Sequence, residues 1–240
     1  MSTIALLTDF GLQDPFVGVM KGVIAGLAPQ ADVIDLCHGV PPQDVRAGAL
    51  YLRASTAYFP DNALFVGVVD PGVGSARRIL FARTKRHWFL APDNGLLSWL
   101  TEPVVEWRVV ENAKLFLPKV SSTFHGRDIF APVAARLAAG LDPHDLGPQL
   151  EQPAVALPWP KDEILAIDRF GNAITSIDRP VKTVRYKGKT IAVKRTYADA
   201  AEGETLAVYG SYGLLELSVR NGDFAARCAA SRGEIIDAGK

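Results

Sequence analysis

Four short stretches of this chain carry most of its potential chemistry. In STFHGRDIFAP (121–131), His125, Arg127 and Asp128 fall within four residues at what reads as the start of a helix. A histidine there feels the positive end of the helix dipole, which favours neutral imidazole, and a neutral imidazole can accept a proton. Arg127 and Asp128 read as local structure, with Asp128 near the cap and Pro132 in the first turns. In VVDPGVGSARR (68–78), Asp70 follows an apolar run and Pro71 fixes one φ. Gly72 and Gly74 permit positive φ or a close backbone approach, and Arg77 returns toward the same loop. Such a loop can hold an acid and a guanidinium over one small volume; the plainer alternative is a decorated surface turn. Asp9 closes the apolar run TIALLTDF. Like Asp70, it can take ribose hydroxyls, act as a base, or merely cap the next turn. In DRFGNAITSI (168–177), Asp168, Phe170 and Asn172 alternate, so on an extended segment they share one face. An acid, an aromatic and an amide on one face suit an ammonium, a flat ring and a ring-edge donor, although a chance strand pattern has the same letters.

Several other chemistries find no support. No G-x-G-x-x-G follows the first apolar run, and KGKT (187–190) lacks the first glycine of a P-loop, since position 183 is Thr; it reads as a hairpin turn. The four histidines (His38, His87, His125, His144) make no metal-binding pair at helical spacing, so neither a metal nor another cofactor is expected. Lysine plus arginine equals aspartate plus glutamate, 26 against 26, which removes the electrostatic argument for nucleic acid or an acidic membrane surface. Cys37 and Cys228 are too few and too far apart for a disulfide framework and fit a reducing compartment. The stretch MSTIALLTDFG has no basic leader and reads as a buried strand. No apolar run approaches the ~18 residues of a membrane span. A cytoplasmic protein is expected.

The elements that must position these residues change in kind along the chain. Up to about residue 150, strand-like runs (TIALLTDF, DVIDLCHGV, ALFVGVVD, VVEWRVVE) alternate with helical ones. FVGVMKGVIAGL places Phe16, Met20, Val23 and Leu27 on one helical face, and DVRAGALYLRASTAYF places Val45, Ala49, Leu52 and Tyr58 on another. RRILFARTKRHWFLAP reads as a hairpin, and DIFAPVAARLAAG as an amphipathic helix stopped by Gly140. Repeated βα units predict an α/β domain over residues 1–153 with a mostly parallel, helix-covered sheet. In such a sheet ligands bind at the carboxyl ends of strands, where Asp9 and Asp70 fall. The proline-rich residues 154–162 read as a linker. Residues 163–240 show short alternating runs between Gly and Asp/Asn turns, which predicts a small antiparallel β domain.

Taken in order, TDFG with DPFVGVMKG, DPGVGSARR, APDNGLL, FHGRDIFAPVAA and DRFGN resemble the S-adenosylmethionine hydroxide adenosyltransferases, relatives of the fluorinase and chlorinase enzymes. The resemblance runs from residue 3 to about 226. It implies a Rossmann-like α/β N-terminal domain and a β-barrel-like C-terminal domain. It also implies a homotrimer that binds S-adenosyl-L-methionine between the N-terminal domain of one subunit and the C-terminal domain of its neighbour. The hydrolytic branch carries an Asp-Arg-His triad, which falls on Asp70, Arg77 and His125. The halogenating branch has an aromatic in place of that Asp and no histidine in its counterpart of FHG.

By the same resemblance Asp9 would hold the ribose hydroxyls and Phe124 would pack near the nucleoside. Asp168 would bind the methionine ammonium, Phe170 and Asn172 the adenine, and Ser211 the methionine carboxylate. The sequence departs from the family at Gln43, where an aromatic is common, and around 218–222. The implied reaction is attack of water on ribose C5′, giving adenosine and methionine without a cofactor. A halide adenosyltransferase and a non-catalytic S-adenosylmethionine-binding module are the alternatives.

Overall fold

Strand β1 (Thr3–Thr8) is buried on both faces, with Ile4, Ala5, Leu6 and Leu7 fully enclosed in the computed structural model, which describes residues 3–239. Residues 1, 2 and 240 of the expected domain ranges lie outside that description. A strand that is apolar on both sides needs a layer on each. Ile4 and Leu6 pack with Met20 and Ile24 of α1 (Phe16–Leu27) and with Val133 and Leu137 of α3 (Ala131–Ala138). Ala5 and Leu7 pack with Ala47 and Leu52 of α2 (Val45–Ser55). The result is a helix–sheet–helix sandwich.

The sheet also contains β2 (Asp32–Cys37), β3 (Leu64–Val68), β4 (Ile79–Arg83), β5 (Trp88–Pro92), β6 (Glu106–Val109) and β7 (Gln149–Leu150), in the order β2-β1-β3-β5-β4-β6-β7. The pairings from β2 to β5 are parallel, and those from β5 to β7 are antiparallel. The expected parallel sheet is thus present from β2 to β5, and it is extended by an antiparallel part from β5 to β7. The expected hairpin is the reason: β4 and β5 are joined by too few residues for a crossover, so they pair antiparallel.

Two helical faces also differ from expectation. On α1 the buried stripe is Val17, Met20 and Ile24, whereas Phe16 and Leu27 are exposed. Phe16 turns instead toward an aromatic group described below. Helix α2 ends at Ser55, and Tyr58 lies exposed beyond it; Pro60 forces Phe59 into extended backbone and stops the helix. Helix α3 is buried nearly all round, because its alanines let neighbouring layers close on it.

The chain divides between Leu157 and Pro158 into two compact units. Residues 151–162 form no helix or strand. Ala154 N donates to Asp93 (3.0 Å) and the Trp99 indole to Leu157 O (3.2 Å) in the first unit. In the second, the Trp159 indole donates to Ser176 O (3.0 Å).

The second unit has an antiparallel sheet, order β12-β13-β9-β8, and an antiparallel pair β10-β11. These strands are β8 (Ile164–Ile167), β9 (Ala173–Thr175), β10 (Thr183–Tyr186), β11 (Lys189–Ala192), β12 (Thr205–Tyr209) and β13 (Leu215–Val219). The five-residue helix α4 (Phe224–Cys228) buries Phe224 in their common core. Lys187 and Gly188 form the β10–β11 turn with φ of 46° and 78°, so KGKT is a hairpin. No helix among the described residues is long and apolar enough to cross a membrane.

Candidate active site

Asp70, Arg77 and His125 meet. Asp70 stands just beyond β3, Arg77 just before β4, and His125 begins the helical segment that leads into α3. Arg77 Nε donates to both Asp70 oxygens at 2.9 Å, and Nη2 donates to Asp70 Oδ2 as well. The same Nη2 lies 2.8 Å from His125 Nδ1. The Asp70 and Arg77 side chains are 4% and 10% exposed, so water screens the pair poorly.

The glycine loop makes this approach possible. Ser75 Oγ donates to Gly72 O (2.7 Å), and Arg77 N donates to Ser75 Oγ (3.2 Å), which turns Arg77 back over Asp70. Gly74 has φ 77°, and a Cβ there would drive into the carbonyl oxygen of Ser122. Only glycine lets this loop lie directly against the segment that carries His125.

That segment is held from inside. Asp128 is fully buried and accepts from Ser121 N (2.8 Å) and from Arg127 Nε (2.6 Å). Burial raises the Asp128 pKa, but the bonds from Arg127 and Ser121 outweigh it and leave the carboxyl below its usual range. Arg127 and Asp128 are therefore local structure, as expected. Gly126–Phe130 forms a π-turn rather than the first turn of an α-helix, a distortion common at functional sites.

Arginine has only donors, so His125 Nδ1 must accept the bond from Arg77. In the neutral ring the proton then sits on Nε2. Burial and the Arg77 charge hold the His125 pKa below its ordinary 6.5, with Asp70 pulling weakly the other way. The ring is neutral at pH 7 and presents a donor, not a base. This corrects the sequence-based expectation of an open proton acceptor: the lone pair at Nδ1 is already used.

Asp9, Phe124 and His125 line one cavity of about 370 Å³ with Asp70. Asp9 Oδ2 accepts from Gln43 N (2.7 Å), and Gln43 occupies the left-handed region with φ 65°. Gly11 N donates to His38 O (2.8 Å), so the loop after β2 grips the loop after β1 twice. Phe10, Phe16 and Phe124 form an edge-to-face trio with centroids 5.2–6.0 Å apart on one wall. Sequence reading missed Phe10 and placed Phe16 on the core face; its position opposite Phe124 is a tertiary fact.

Asp168, Phe170, Asn172 and Ser211 line a second cavity, about 920 Å³, wholly within the C-terminal unit. They do not reach it as one strand face. DRFGN is the β8–β9 turn, with Gly171 at φ 81°. Asp168 Oδ1 accepts from Phe170 N and Asn172 N, both at 2.8 Å, and Oδ2 from Asn172 Nδ2 at 2.9 Å. The extended-segment reading fails because Asp168 folds the backbone around its own carboxylate, a familiar Asx-turn habit. Phe170 is left 76% exposed at the cavity rim.

Sequence reading also passed over Tyr197 and Glu216 in this cavity. Glu216 is 8% exposed on β13, and the Tyr197 hydroxyl donates to its Oε1. Burial, with the nearby Asp168 charge second, raises its pKa to about 7. The signal available was one acid inside the apolar run LLELSV. Among the described residues no group of His, Cys, Asp and Glu is arranged to hold a metal ion.

A two-unit α/β-plus-β protein with an Asp–Arg–His cluster at the strand ends matches one family. The S-adenosylmethionine hydroxide adenosyltransferase N-terminal domain matches residues 4–147, and the corresponding C-terminal domain matches residues 162–237. The chain belongs to this family. It is 44% identical over 239 residues to the (R)-S-adenosyl-L-methionine hydrolase of Thermus thermophilus, covering 92% of this chain and 93% of that one. A fluorinase of Actinoplanes sp. is more distant, at 28% over 203 residues, covering 74% of this chain and 68% of the fluorinase. The crystal structure of an uncharacterized conserved protein from Thermotoga maritima superposes with a TM-score of 0.91 at 37% identity, over 98% of each chain.

Proposed function

We propose that this protein hydrolyses S-adenosyl-L-methionine to adenosine and L-methionine by attack of water or hydroxide on ribose C5′. One observation carries the reading: a part-buried Asp70–Arg77–His125 cluster, already hydrogen-bonded together, whose Asp70 and His125 line the smaller of the two cavities.

The chemistry asks for little beyond a well-held nucleophile. An O–C5′ bond forms as the C5′–S bond breaks, and the sulfonium leaves as a neutral thioether. No acid is needed for that departure. Water must lie in line with the C–S bond, and such positioning supplies much of a rate enhancement. His125, with Nδ1 occupied by Arg77, offers its Nε2 proton to the nucleophile's oxygen. Arg77 adds positive charge that favours hydroxide character at that oxygen. Asp70 binds Arg77 through both oxygens, which fixes the guanidinium and offsets its charge near a cationic substrate. The proton lost by water passes to solvent: His125 Nδ1 is taken by Arg77, and Asp70 already accepts three contacts from Arg77 and is held as its counter-charge.

Asp9 is assigned to the ribose hydroxyls and Phe124 to the nucleoside. Asp168 is assigned to the ammonium, Phe170 and Asn172 to the adenine, and Ser211 to the carboxylate. We read the N-terminal unit as Rossmann-like and the C-terminal one as barrel-like. The protein is proposed to be a cytoplasmic homotrimer that needs no cofactor, with each site completed by a neighbour's C-terminal unit. Support comes from the division of the assigned residues between two cavities, one in each unit.

Reaction in ¹⁸O-labelled water tests the chemistry: the label should appear in the adenosine 5′-hydroxyl and not in methionine. A dominant 5′-halo-adenosine at modest chloride or fluoride would overturn the hydrolase in favour of a halide transferase. Mixing slow Asp70→Ala chains with weakly binding Asp168→Ala chains, at substrate too dilute to saturate the latter, tests the shared site. Some activity should return, and none in verified mixed trimers would place each site in one chain.

A further inference from the structure

Glu216 occupies an unusual position for a carboxylate. It lies on β13, between β12 and β9, where its strand partners Val208 and Ile174 are apolar. Its side chain is held from two sides. The Tyr197 hydroxyl donates to Oε1, and a Cβ on Gly210 would collide with Oε2. Burying an acid in a sheet without a cation is costly, and among the described residues no lysine, arginine or histidine pairs with it. The formal charge that acts on it is another acid, Asp168. The other charged groups on the same cavity are Arg195, exposed after β11, and Asp223. Asp223 is committed elsewhere, capping α4 through Ala226 N (2.7 Å) and resting against Gly171.

Asp168 is poorly placed to receive an ammonium alone. Three of its acceptor positions already serve its own turn, and a carboxylate offers only about four. An ammonium brings three donors. The cavity therefore holds one acid largely occupied, a second acid clamped and lacking a cation, and mutual repulsion between them. A ligand cation supplies the counter-charge that Glu216 lacks and relieves the repulsion between the two acids.

We propose that Glu216 is a substrate-binding residue that meets the α-ammonium of S-adenosyl-L-methionine in the C-terminal cavity, beside Asp168. The proposal rests on the hydrolase reading. Without ligand, a proton on Glu216 stands in for the missing cation, consistent with its raised pKa of about 7. The ammonium enters, Glu216 ionises, and its proton goes to solvent, so binding is coupled to proton release near neutral pH.

Calorimetry tests this directly. S-adenosyl-L-methionine is titrated into the slow Asp70→Ala protein at pH 7 in buffers of different ionisation enthalpy. Roughly half a proton should be released per site, the fraction expected for a group titrating near that pH. The analogue lacking the α-amine should bind about tenfold or more weakly and release no proton. Glu216→Gln in the same background keeps the side-chain shape. It should abolish proton release and remove most of the discrimination between substrate and analogue. Tyr197→Phe keeps the carboxylate and should preserve the discrimination. In otherwise native protein Glu216→Gln should raise KM while leaving kcat nearly unchanged. A folded Glu216→Gln protein that still prefers the amine and still releases a proton overturns the proposal. If that variant does not fold, proton release and amine preference in the Glu216 protein decide alone, and their absence overturns it. Failure of the native protein to bind or cleave S-adenosyl-L-methionine would instead bring down the hydrolase reading, which separates the two failures.

Discussion

The two cavities treat their charges in opposite ways. In the N-terminal unit Asp70 is satisfied before any ligand arrives: Arg77 holds both its oxygens and reaches on to His125. In the C-terminal unit Glu216 has only a neutral hydroxyl partner and faces another acid. Internal pairing makes a rigid cluster suited to a transition state, because its geometry costs nothing to assemble during reaction. Unpaired charge makes a cavity that waits for a cation. The first arrangement should govern turnover and the second affinity, so substitutions in the two units should separate kinetically.

The sharpest test lies in the N-terminal unit. Asp70→Ala, Arg77→Ala and His125→Ala should each lower kcat by roughly 10²-fold or more with smaller effects on substrate affinity. Steady-state kinetics beside direct binding measurements check this. Variants that bind poorly but turn over normally when saturated would erase the contrast between the cavities.

Next comes the cost of the unpaired acid. Glu216 has a folded pKa of about 7 against an ordinary 4.5. The folded state therefore holds the proton more tightly than the unfolded chain does. That contribution to stability is fully present below about pH 4.5 and is lost as pH rises through about 7, by at most about 3 kcal/mol. Urea unfolding of the C-terminal unit across this window should show the decline, and Glu216→Gln should flatten it. Saturating substrate should also flatten it by supplying the cation.

A smaller effect is expected at Gly74. Gly74→Ala places a Cβ against Ser122 O at φ 77°. It should destabilise the N-terminal unit by more than about 1 kcal/mol and lower kcat by shifting Arg77 relative to His125, without changing amine discrimination. Unfolding midpoints with kcat and KM would show it.

The mildest prediction concerns pH. His125 titrates below its ordinary 6.5, for burial first and the Arg77 charge second. The neutral ring persists as pH falls through 6.5, and kcat should decline only at more acid values. A limb at or above 6.5 would mean that the burial and the Arg77 charge that depress His125 do not persist during turnover.

Much of this protein could be read from its letters because the relevant physics is local. Buried apolar runs such as TIALL, the β4–β5 hairpin and the Lys187–Gly188 turn follow from composition and short-range sterics. So does the change of texture between the two units. The loop DPGVGSARR announced that an acid and an arginine can share a small volume, since the two residues are only seven apart.

Properties that depend on distant segments were decided by tertiary structure alone. Arg77 and His125 are 48 residues apart, and the direction of their hydrogen bond settles which imidazole nitrogen bears the proton. Two of the sheet's antiparallel pairings exist because β4 inserts between β5 and β6, and hydrophobic runs do not encode strand order. Phe16 looked like a core residue until Phe10 and Phe124 came to meet it. Asp168, Phe170 and Asn172 were the right residues for the wrong geometric reason, because the side chain of Asp168 competed for the backbone and turned the strand. Glu216 is the clearest case. Its letter marks an ordinary surface acid, and only the closing of Tyr197, Gly210 and Asp168 around it makes its ionisation depend on what the cavity holds.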